Sequence, residues 1–141
     1  MLKTSAGILI VYQHKALLAH STNSPWWRSY TPPKGGIEKD ESLEEAAARE
    51  VEEEVGIKID PASLHIKVDV DCLNPRGVLY KRVHLFVYYI KSLEEIGLTD
   101  EHVPVFQLQR EEIDEARFMD EAEVEKKILP RYLEYVLPFL K

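Results

Sequence analysis

The sequence predicts a mixed α/β domain in which helices cover the faces of a β-sheet. Three observations support this class. Residues 4–12 have the pattern of a buried strand, with a continuous apolar run at 6–12. Residues 78–90 show the alternating side chains of a strand, and residues 43–55 repeat apolar side chains at helical spacing. A chain of 141 residues, 45% apolar and 30% charged, is long enough to build its own core. We therefore expect one layered domain over residues 1–141 that ends in a helical segment.

The other elements follow from the same patterns. The apolar residues of 15–20 predict a second strand, and the regular alternation of 64–70 predicts another. Weaker apolar stretches predict short strands at 103–108 and 116–119, whereas the prolines of 21–34 predict a long loop. The C-terminal third is predicted to be helical, with an apolar stripe at Leu133, Val136, Leu137 and Leu140.

The central helix is predicted with defined ends. Ser42 is a favourable N-cap, and Glu45 three residues later completes a capping box. Gly56 stands where a helix commonly ends in a left-handed residue. The apolar stripe of this helix consists of Leu43, Ala47, Val51 and Val55.

The net charge of −7 is confined to one segment. Residues 35–57 contain nine acidic and two basic side chains, and the rest of the chain is balanced. No basic stripe is available for a long nucleic acid, so we do not expect one as a partner. The single cysteine, Cys72, excludes an internal disulfide framework and a cysteine-based zinc site.

Three glutamates share one face of the central helix. At about 100° per residue, Glu50, Glu53 and Glu54 cluster beside the apolar stripe and near the helix C-terminus, where the helix dipole disfavours negative charge. A hard divalent cation, Mg²⁺ or Mn²⁺, would stabilise such an oxygen-only cluster. Glu44, Glu45 and Glu52 are interpreted as a solvated acidic face.

Residues 35–57 resemble a known signature. The pattern Gly35-x5-Glu41-x7-Arg49-Glu50-Val51-x-Glu53-Glu54-x-Gly56-Ile57 matches every fixed position of the Nudix box of Nudix (MutT-like) hydrolases. With the flanking strands, the resemblance covers about residues 3–127. It implies an α/β/α sandwich with a mixed β-sheet, in which the box forms a loop–helix–loop. It also implies hydrolysis of a pyrophosphate bond in a nucleoside diphosphate linked to another group.

The resemblance further implies roles for individual residues. Mg²⁺ or Mn²⁺ would be bound by the Gly35 carbonyl and by a set of carboxylates, and Arg49 would orient those carboxylates. Glu41 would support the site from the loop. Dinucleoside polyphosphate hydrolases have a further glutamate five places before the arginine of an Arg-aromatic pair, and counting back from Arg117 identifies that position as Glu112. Glu111 and Glu115 are the alternatives. The other interpretation of these acids is a solvated turn. The implied metal-binding and catalytic carboxylates are those of Glu50, Glu53, Glu54 and Glu112.

The substrate is less strongly indicated. The run Pro33-Lys34-Gly35-Gly36-Ile37-Glu38 resembles the box opening of dinucleoside polyphosphate hydrolases, which split diadenosine tetraphosphate. In this interpretation Lys34 contacts phosphate and Tyr80 corresponds to a downstream substrate tyrosine; a surface lysine in a turn is the alternative for Lys34. Trp26, Trp27 and the neighbouring Arg28 either bind substrate, by stacking a base, or pack against the sheet.

Other functions stay open at this stage. A nucleoside triphosphate or a triphosphorylated RNA 5′ end would suit the same chemistry, and Pro75 could correspond to a proline of ADP-ribose hydrolases. A nucleotide-sensing module without turnover is the alternative from another class, although the intact box disfavours it. We expect a small nucleotide as the partner. The protein itself is expected to be a monomer or a homodimer.

The sequence shows no targeting or membrane signal. The apolar run at 6–12 is ended by Gln13-His14-Lys15 and is far shorter than the roughly 20 residues of a membrane span. We therefore expect no membrane partner and a cytoplasmic location. The five histidines show no metal-binding spacing and are interpreted as core or surface residues.

Overall fold

A seven-stranded mixed sheet forms the centre of the molecule. The structure, a computed structural model, describes residues 2–141. The strands are β1 (Lys3–Tyr12), β2 (Lys15–Ser21), β3 (Tyr30–Thr31), β4 (Lys34–Gly36), β5 (Ile66–Leu73), β6 (Leu79–Ile90) and β7 (Ile113–Met119). The helices are α1 (Leu43–Val55), α2 (Glu121–Lys127) and α3 (Pro130–Val136).

Strand β1 organises the sheet. The strand order is β3-β2-β1-β6-β5, with β4 paired to β1 and β7 paired to β2. β1 runs parallel to β6 along its whole length, but its other edge is shared by two antiparallel partners. Its first half pairs with β4, from Ser5↔Gly36 to Gly7↔Lys34, and its end pairs with β2. This divided edge places the backbone of β4 next to the helix that follows it.

The sheet separates two apolar cores. One core lies between the sheet and α1 and includes Ile8, Ile10 and Val51. The other lies between the sheet and the C-terminal helices and includes Leu9, Leu85 and the buried Tyr132. Each face of β1 therefore contributes alternate residues to a different core, as the strand period of two requires. The predicted α/β class, and the α/β/α sandwich that the resemblance implies, are confirmed.

Helix α1 has the predicted bounds and caps. The Ser42 side chain accepts from the Glu45 amide at 3.0 Å, and the Glu45 carboxylate accepts from the Ser42 amide at 2.9 Å. Gly56 ends the helix with φ 68°, a conformation that disfavours side chains with a Cβ atom. Within the predicted stripe, Ala47, Val51 and Val55 are fully buried, while Leu43 is partly buried against the same core.

Several predicted boundaries were wrong. Residues 103–108 form no strand in the described chain; instead they contain a short 3-10 turn at Val105–Gln107, because Pro104 has no amide hydrogen for a sheet ladder. The predicted loop 21–34 includes β3 and the first residue of β4, strands too short to produce a periodic signal. Strand β5 is displaced toward the C-terminus, since a 3-10 turn occupies Pro61–Ser63.

The C-terminal part of the chain is divided. The predicted helical third contains two seven-residue helices, α2 and α3, and a final 3-10 turn at Leu137–Leu140. Pro130 is the first residue of α3, a position that proline favours, and the extended residue before it separates the helices. β7 begins three residues earlier than predicted, at Ile113, because Asp114 and Glu115 interrupt its apolar pattern. Over residues 2–141, no helix has the length and hydropathy needed to cross a bilayer.

Candidate functional site

A polar pocket of about 370 Å³ lies between α1, β4 and the loop that precedes β7. We call it the acid pocket. Its lining includes four carboxylates and one lysine, which is an unusual concentration of charge for a concave surface. The lining residues are Ser21, Lys34, Gly35, Gly36, Glu50, Glu53, Glu54, Gln109, Glu112 and Ile113.

Backbone hydrogen bonds hold the walls of the acid pocket together. The Gln109 amide donates to the Glu54 carbonyl at 3.0 Å, which joins the loop before β7 to the end of α1. On the other side, the Thr22 amide donates to the Glu112 carbonyl at 2.8 Å. The Thr22 hydroxyl donates to the Arg110 carbonyl at 3.0 Å. These bonds hold the segment that contains Glu112 at the pocket.

Arg49 connects the box loop to the acidic face of α1. Its Nε and Nη2 donate to the two carboxylate oxygens of Glu41 at 2.6 and 2.9 Å. Its Nη1 donates to Glu50 at 2.9 Å and reaches Glu53 at 3.3 Å, while Nη2 also donates to the Gly36 carbonyl at 2.9 Å. Glu38 lies 3.7 Å from Nη1, so one guanidinium pairs with four carboxylates, and it holds the pKa of Glu41 at about 2.

Glu54 is the buried carboxylate of the pocket. The residue is 8% exposed, and its only hydrogen-bond donor in the described chain is the Lys34 amide at 3.4 Å. Burial raises the pKa of Glu54 to about 7, although the positive charge of Lys34 opposes the shift. Burial also raises the pKa of Glu50, against the effect of Arg49. Both carboxylates would gain from a nearby cation.

Gly35 is required by the position of Glu50. A Cβ atom built on Gly35 would overlap the Glu50 carboxylate. The neighbouring Gly36 has open space at the same position. The absence of a side chain at Gly35 therefore lets the backbone of β4 approach the acidic face of α1 directly.

The donor set of the acid pocket fits a hard divalent cation. Over residues 2–141, no three His, Cys, Asp or Glu side chains are gathered closely enough to hold a metal ion as they stand. Arg49 explains part of this spacing, because it draws Glu50 and Glu53 toward itself. The donors on offer are all oxygens, and among the described residues no basic side chain lies within 4 Å of the buried Glu54 carboxylate. Mg²⁺ and Mn²⁺ prefer such ligands.

The three acidic candidates have different surroundings: Glu111 and Glu112 precede β7, and Glu115 lies within it. Glu111 and Glu112 are both exposed, but only Glu112 lines the acid pocket. Glu115 accepts a hydrogen bond from the Tyr30 hydroxyl and lies 3.5 Å from Arg117 Nε. Burial, together with this hydrogen bond to Glu115, raises the pKa of Tyr30. The geometry favours Glu112 as the residue that faces the site.

The predicted substrate residues do not all meet at the acid pocket. Lys34 lines it. The Tyr80 hydroxyl instead accepts from Arg131 Nη1 at 3.1 Å, and Arg131 lines a different pocket of about 440 Å³ beside β5. Trp26, Trp27 and Arg28 line a third pocket, which shares no residue with the acid pocket.

Sequence reasoning missed several residues around the site. Ser21 and Gln109 line the acid pocket, and Thr22 holds the loop of Glu112. No local signal identifies them, because their contacts join segments that are 50 to 90 residues apart. His20 is a core residue with a defined polar partner: it is fully buried, and its Nδ1 lies 2.7 Å from Asp114 Oδ1.

Comparisons with known proteins find the same fold. The structure of an Ap4A hydrolase of C. elegans in a binary complex matches with a TM-score of 0.66 at 19% identity, over 98% of this chain and 95% of that one. A bifunctional NMN adenylyltransferase/ADP ribose pyrophosphatase from Francisella tularensis, complexed with AMP and a Mn ion, matches with a TM-score of 0.67 at 15% identity, over 100% and 42%. A MutT/nudix family protein from Enterococcus faecalis matches with a TM-score of 0.52 at 21% identity, over 64% and 37%.

These similarities have defined limits. Identities of 15–21% show a shared fold, and the chain spans less than half the length of the F. tularensis and E. faecalis proteins. No curated protein sequence matches this chain. The NUDIX domain model, however, matches residues 1–138, almost the whole sequence. The chain therefore belongs to the Nudix domain family.

Proposed function

We propose that the acid pocket hydrolyses a pyrophosphate bond in a nucleoside diphosphate derivative with the help of Mg²⁺ or Mn²⁺. One observation carries the proposal: Glu50, Glu53, Glu54 and Glu112 line one cavity together with Lys34. Carboxylates so placed repel one another, and a bound cation would relieve that repulsion. A phosphate chain would supply the negative charge that such a cation and Lys34 both attract.

The residues that would hold the metal are those with oxygen atoms at the pocket. They are the four glutamates and the main chain of Gly35, which the Nudix resemblance implies and the pocket lining supports. A bound divalent cation would neutralise phosphate charge and make water a better nucleophile at neutral pH. Arg49 is a positioning residue, because it bonds Glu50 and Glu53 while Glu41 fixes its own guanidinium.

The remaining steps are assigned to side chains of this protein. Lys34 binds a non-bridging phosphate oxygen through its ammonium group. Water oxygen attacks one phosphorus atom, the bridging P–O bond breaks, and the second phosphate leaves with that bridging oxygen. Glu112 accepts the proton of the attacking water, since it lines the same pocket from a segment outside α1.

Dinucleoside polyphosphates are the first substrates to test. Support comes from the sequence around Lys34, which resembles dinucleoside polyphosphate hydrolases, and from the fold shared with the C. elegans Ap4A hydrolase. The fold shared with the F. tularensis protein makes ADP-ribose the second candidate. Nucleoside triphosphates and triphosphorylated RNA 5′ ends complete the substrate panel.

The test is an assay of this panel with Mg²⁺ or Mn²⁺, with products identified by mass. We expect Glu53→Gln and Glu54→Gln each to lower kcat by at least ~100-fold, because each removes a charge from the reacting centre. Glu52→Gln is the matched control: it lies on the same helix, is exposed, and does not line the pocket. Hydrolysis by both pocket variants at rates close to the parent protein would contradict the proposal.

A further inference from the structure

The third pocket described above combines tryptophans with cations. A pocket of about 290 Å³ is lined by Trp26, Trp27 and Arg28 from the loop after β2 and by Lys126 and Lys127 from the end of α2. We call it the tryptophan patch. It shares no residue with the acid pocket, so it is a separate surface of the protein.

Trp26 forms a fixed flat platform in this patch. Its ring stacks on the His20 imidazole with centroids 3.8 Å apart and planes inclined by 4°. His20 is held in turn, because its Nδ1 contacts Asp114 Oδ1 at 2.7 Å and its Nε2 contacts the Pro25 carbonyl at 3.0 Å. Trp26 is nevertheless 55% exposed, so the face turned away from His20 is open to solvent. An ordered aromatic face of this kind is suited to stacking a planar ring.

The cations of the tryptophan patch are free of carboxylates. Over residues 2–141, none of Arg28, Lys126 and Lys127 has an acidic partner within 4 Å. Arg28 instead lies over the Trp27 ring, 5.1 Å from its centroid, and Trp27 is 75% exposed. Three uncompensated positive charges on a protein of net charge −7 form a local attraction for anions.

The fold brings these two segments together by main-chain contacts. The Leu129 amide donates to the Tyr30 carbonyl at 2.8 Å, and Ile128 forms a parallel bridge with Tyr30. The end of α2 is therefore fixed beside the loop that precedes β3. The Ser29 hydroxyl donates to the Pro25 carbonyl, which closes that loop. The patch is consequently built by tertiary structure and is not a chance grouping along the chain.

We propose that the tryptophan patch is a second nucleotide-binding site, in which a nucleobase stacks on Trp26 and its phosphate binds Arg28, Lys126 and Lys127. Base–aromatic stacking combined with cationic phosphate contacts is a general mode of nucleotide recognition. The pocket volume is near the lower end for small-molecule sites, which fits a mononucleotide. A lipid surface fits less well, because the patch is concave and the protein carries net negative charge. The proposal is independent of the chemistry at the acid pocket.

Intrinsic fluorescence tests the proposal directly, since the two tryptophans of the chain both lie in the patch. The probe is AMP, which contains no pyrophosphate bond for the acid pocket to hydrolyse. Adenosine, inorganic phosphate and anionic phospholipid vesicles are the comparison probes. The variants are the double substitution Lys126→Ala/Lys127→Ala, with Lys58→Ala/Lys91→Ala as the matched control on exposed lysines elsewhere. Lys34→Ala, in the acid pocket, controls for signal transmitted from there.

We expect AMP to change the fluorescence in a saturable way, with adenosine and phosphate each binding more weakly. The Lys126/Lys127 variant should raise the dissociation constant of AMP about tenfold, whereas the Lys58/Lys91 and Lys34 variants should leave it within twofold. Far-UV circular dichroism checks the fold, and Arg28→Ala provides a second variant with the same expected direction. Absence of a saturable response at millimolar AMP, equal affinity in the patch variants, or a response to vesicles alone would overturn the proposal.

Discussion

Arg49 and Glu41 form a two-point ion pair between α1 and the turn before it. Arg49 Nε lies 2.6 Å from one carboxylate oxygen of Glu41, and Nη2 lies 2.9 Å from the other. Glu41 also accepts from the Glu38 amide at 2.9 Å. A planar guanidinium fixed in this way presents its remaining donor, Nη1, to Glu50 and Glu53. Glu41 therefore acts on the acid pocket without lining it.

Glu41 should make the stability of the protein sensitive to acid. Its pKa is lowered from 4.5 to about 2, chiefly by Arg49, so its contribution to stability is present above about pH 4.5 and is lost as the pH falls toward 2. We expect Glu41→Gln to lower the Tm at pH 7 and to lose less further stability between pH 4.5 and 2. Thermal unfolding across this range measures both effects. An unchanged Tm at pH 7 would contradict the assigned pairing.

Gly35→Ala should impair turnover while the fold is retained. The added methyl group would overlap the Glu50 carboxylate, and that flexible side chain can move aside. Because a displacement of about 1 Å at a reacting centre can cost up to ~100-fold in rate, we expect kcat to fall at least ~10-fold. Gly36→Ala is the control, since its Cβ position is open. Equal activity of the two variants would argue against a role for the close approach of Gly35 and Glu50.

Glu54 should destabilise the metal-free protein as the pH rises. Burial raises its pKa from 4.5 to about 7, so the stability that its protonated form contributes is present below pH 4.5 and is lost as the pH rises through 7. In EDTA, we expect Glu54→Gln to have a higher Tm than the parent protein at pH 8, with the difference disappearing near pH 5. A difference that does not vary with pH would show that ionisation of Glu54 is not its cause.

Mg²⁺ should stabilise the folded protein through the acid pocket. At ten times its dissociation constant, a ligand that binds only the folded state adds about 1.4 kcal/mol. For a domain of this size that corresponds to about 3–6 °C in Tm. We expect Glu53→Gln to remove most of the shift and Glu52→Gln to keep it. Scanning calorimetry with Mg²⁺ and with EDTA makes the comparison, and an equal shift in both variants would place the cation elsewhere.

Ca²⁺ should bind but support poor turnover, because its coordination is looser.

Glu112, Glu111 and Glu115 should respond differently to alanine. Glu112 lines the acid pocket, so we expect Glu112→Ala to lower kcat most while the Tm changes little. Glu115 bonds Tyr30 and lies beside Arg117, so Glu115→Ala should mainly lower the Tm. Glu111 is exposed, and Glu111→Ala should be nearly neutral. Full activity of Glu112→Ala together with an inactive neighbour would show that another acid of this loop serves the site.

The elements that sequence predicted well are those with dense local signals. The capping box at Ser42, the left-handed Gly56 and the four-residue apolar repeat define α1 to the residue, because all of these interactions occur within a few positions. The weak elements had no such signal. Strands β3 and β4 are two and three residues long, and they exist because β2 and β1 supply their partners.

For the site, the sequence by itself determined which carboxylates share a helix face, since α-helical periodicity depends only on spacing. Tertiary structure decided that Glu54 is buried, that Arg49 is anchored by Glu41, and that the main chain of Thr22 holds Glu112 against the pocket. Tertiary structure also places consecutive residues of β2 at different surfaces: Ser21 lines the acid pocket, whereas His20 stacks against Trp26 of the tryptophan patch. Burial and long-range pairing depend on segments far apart in the chain, so no local pattern encodes them.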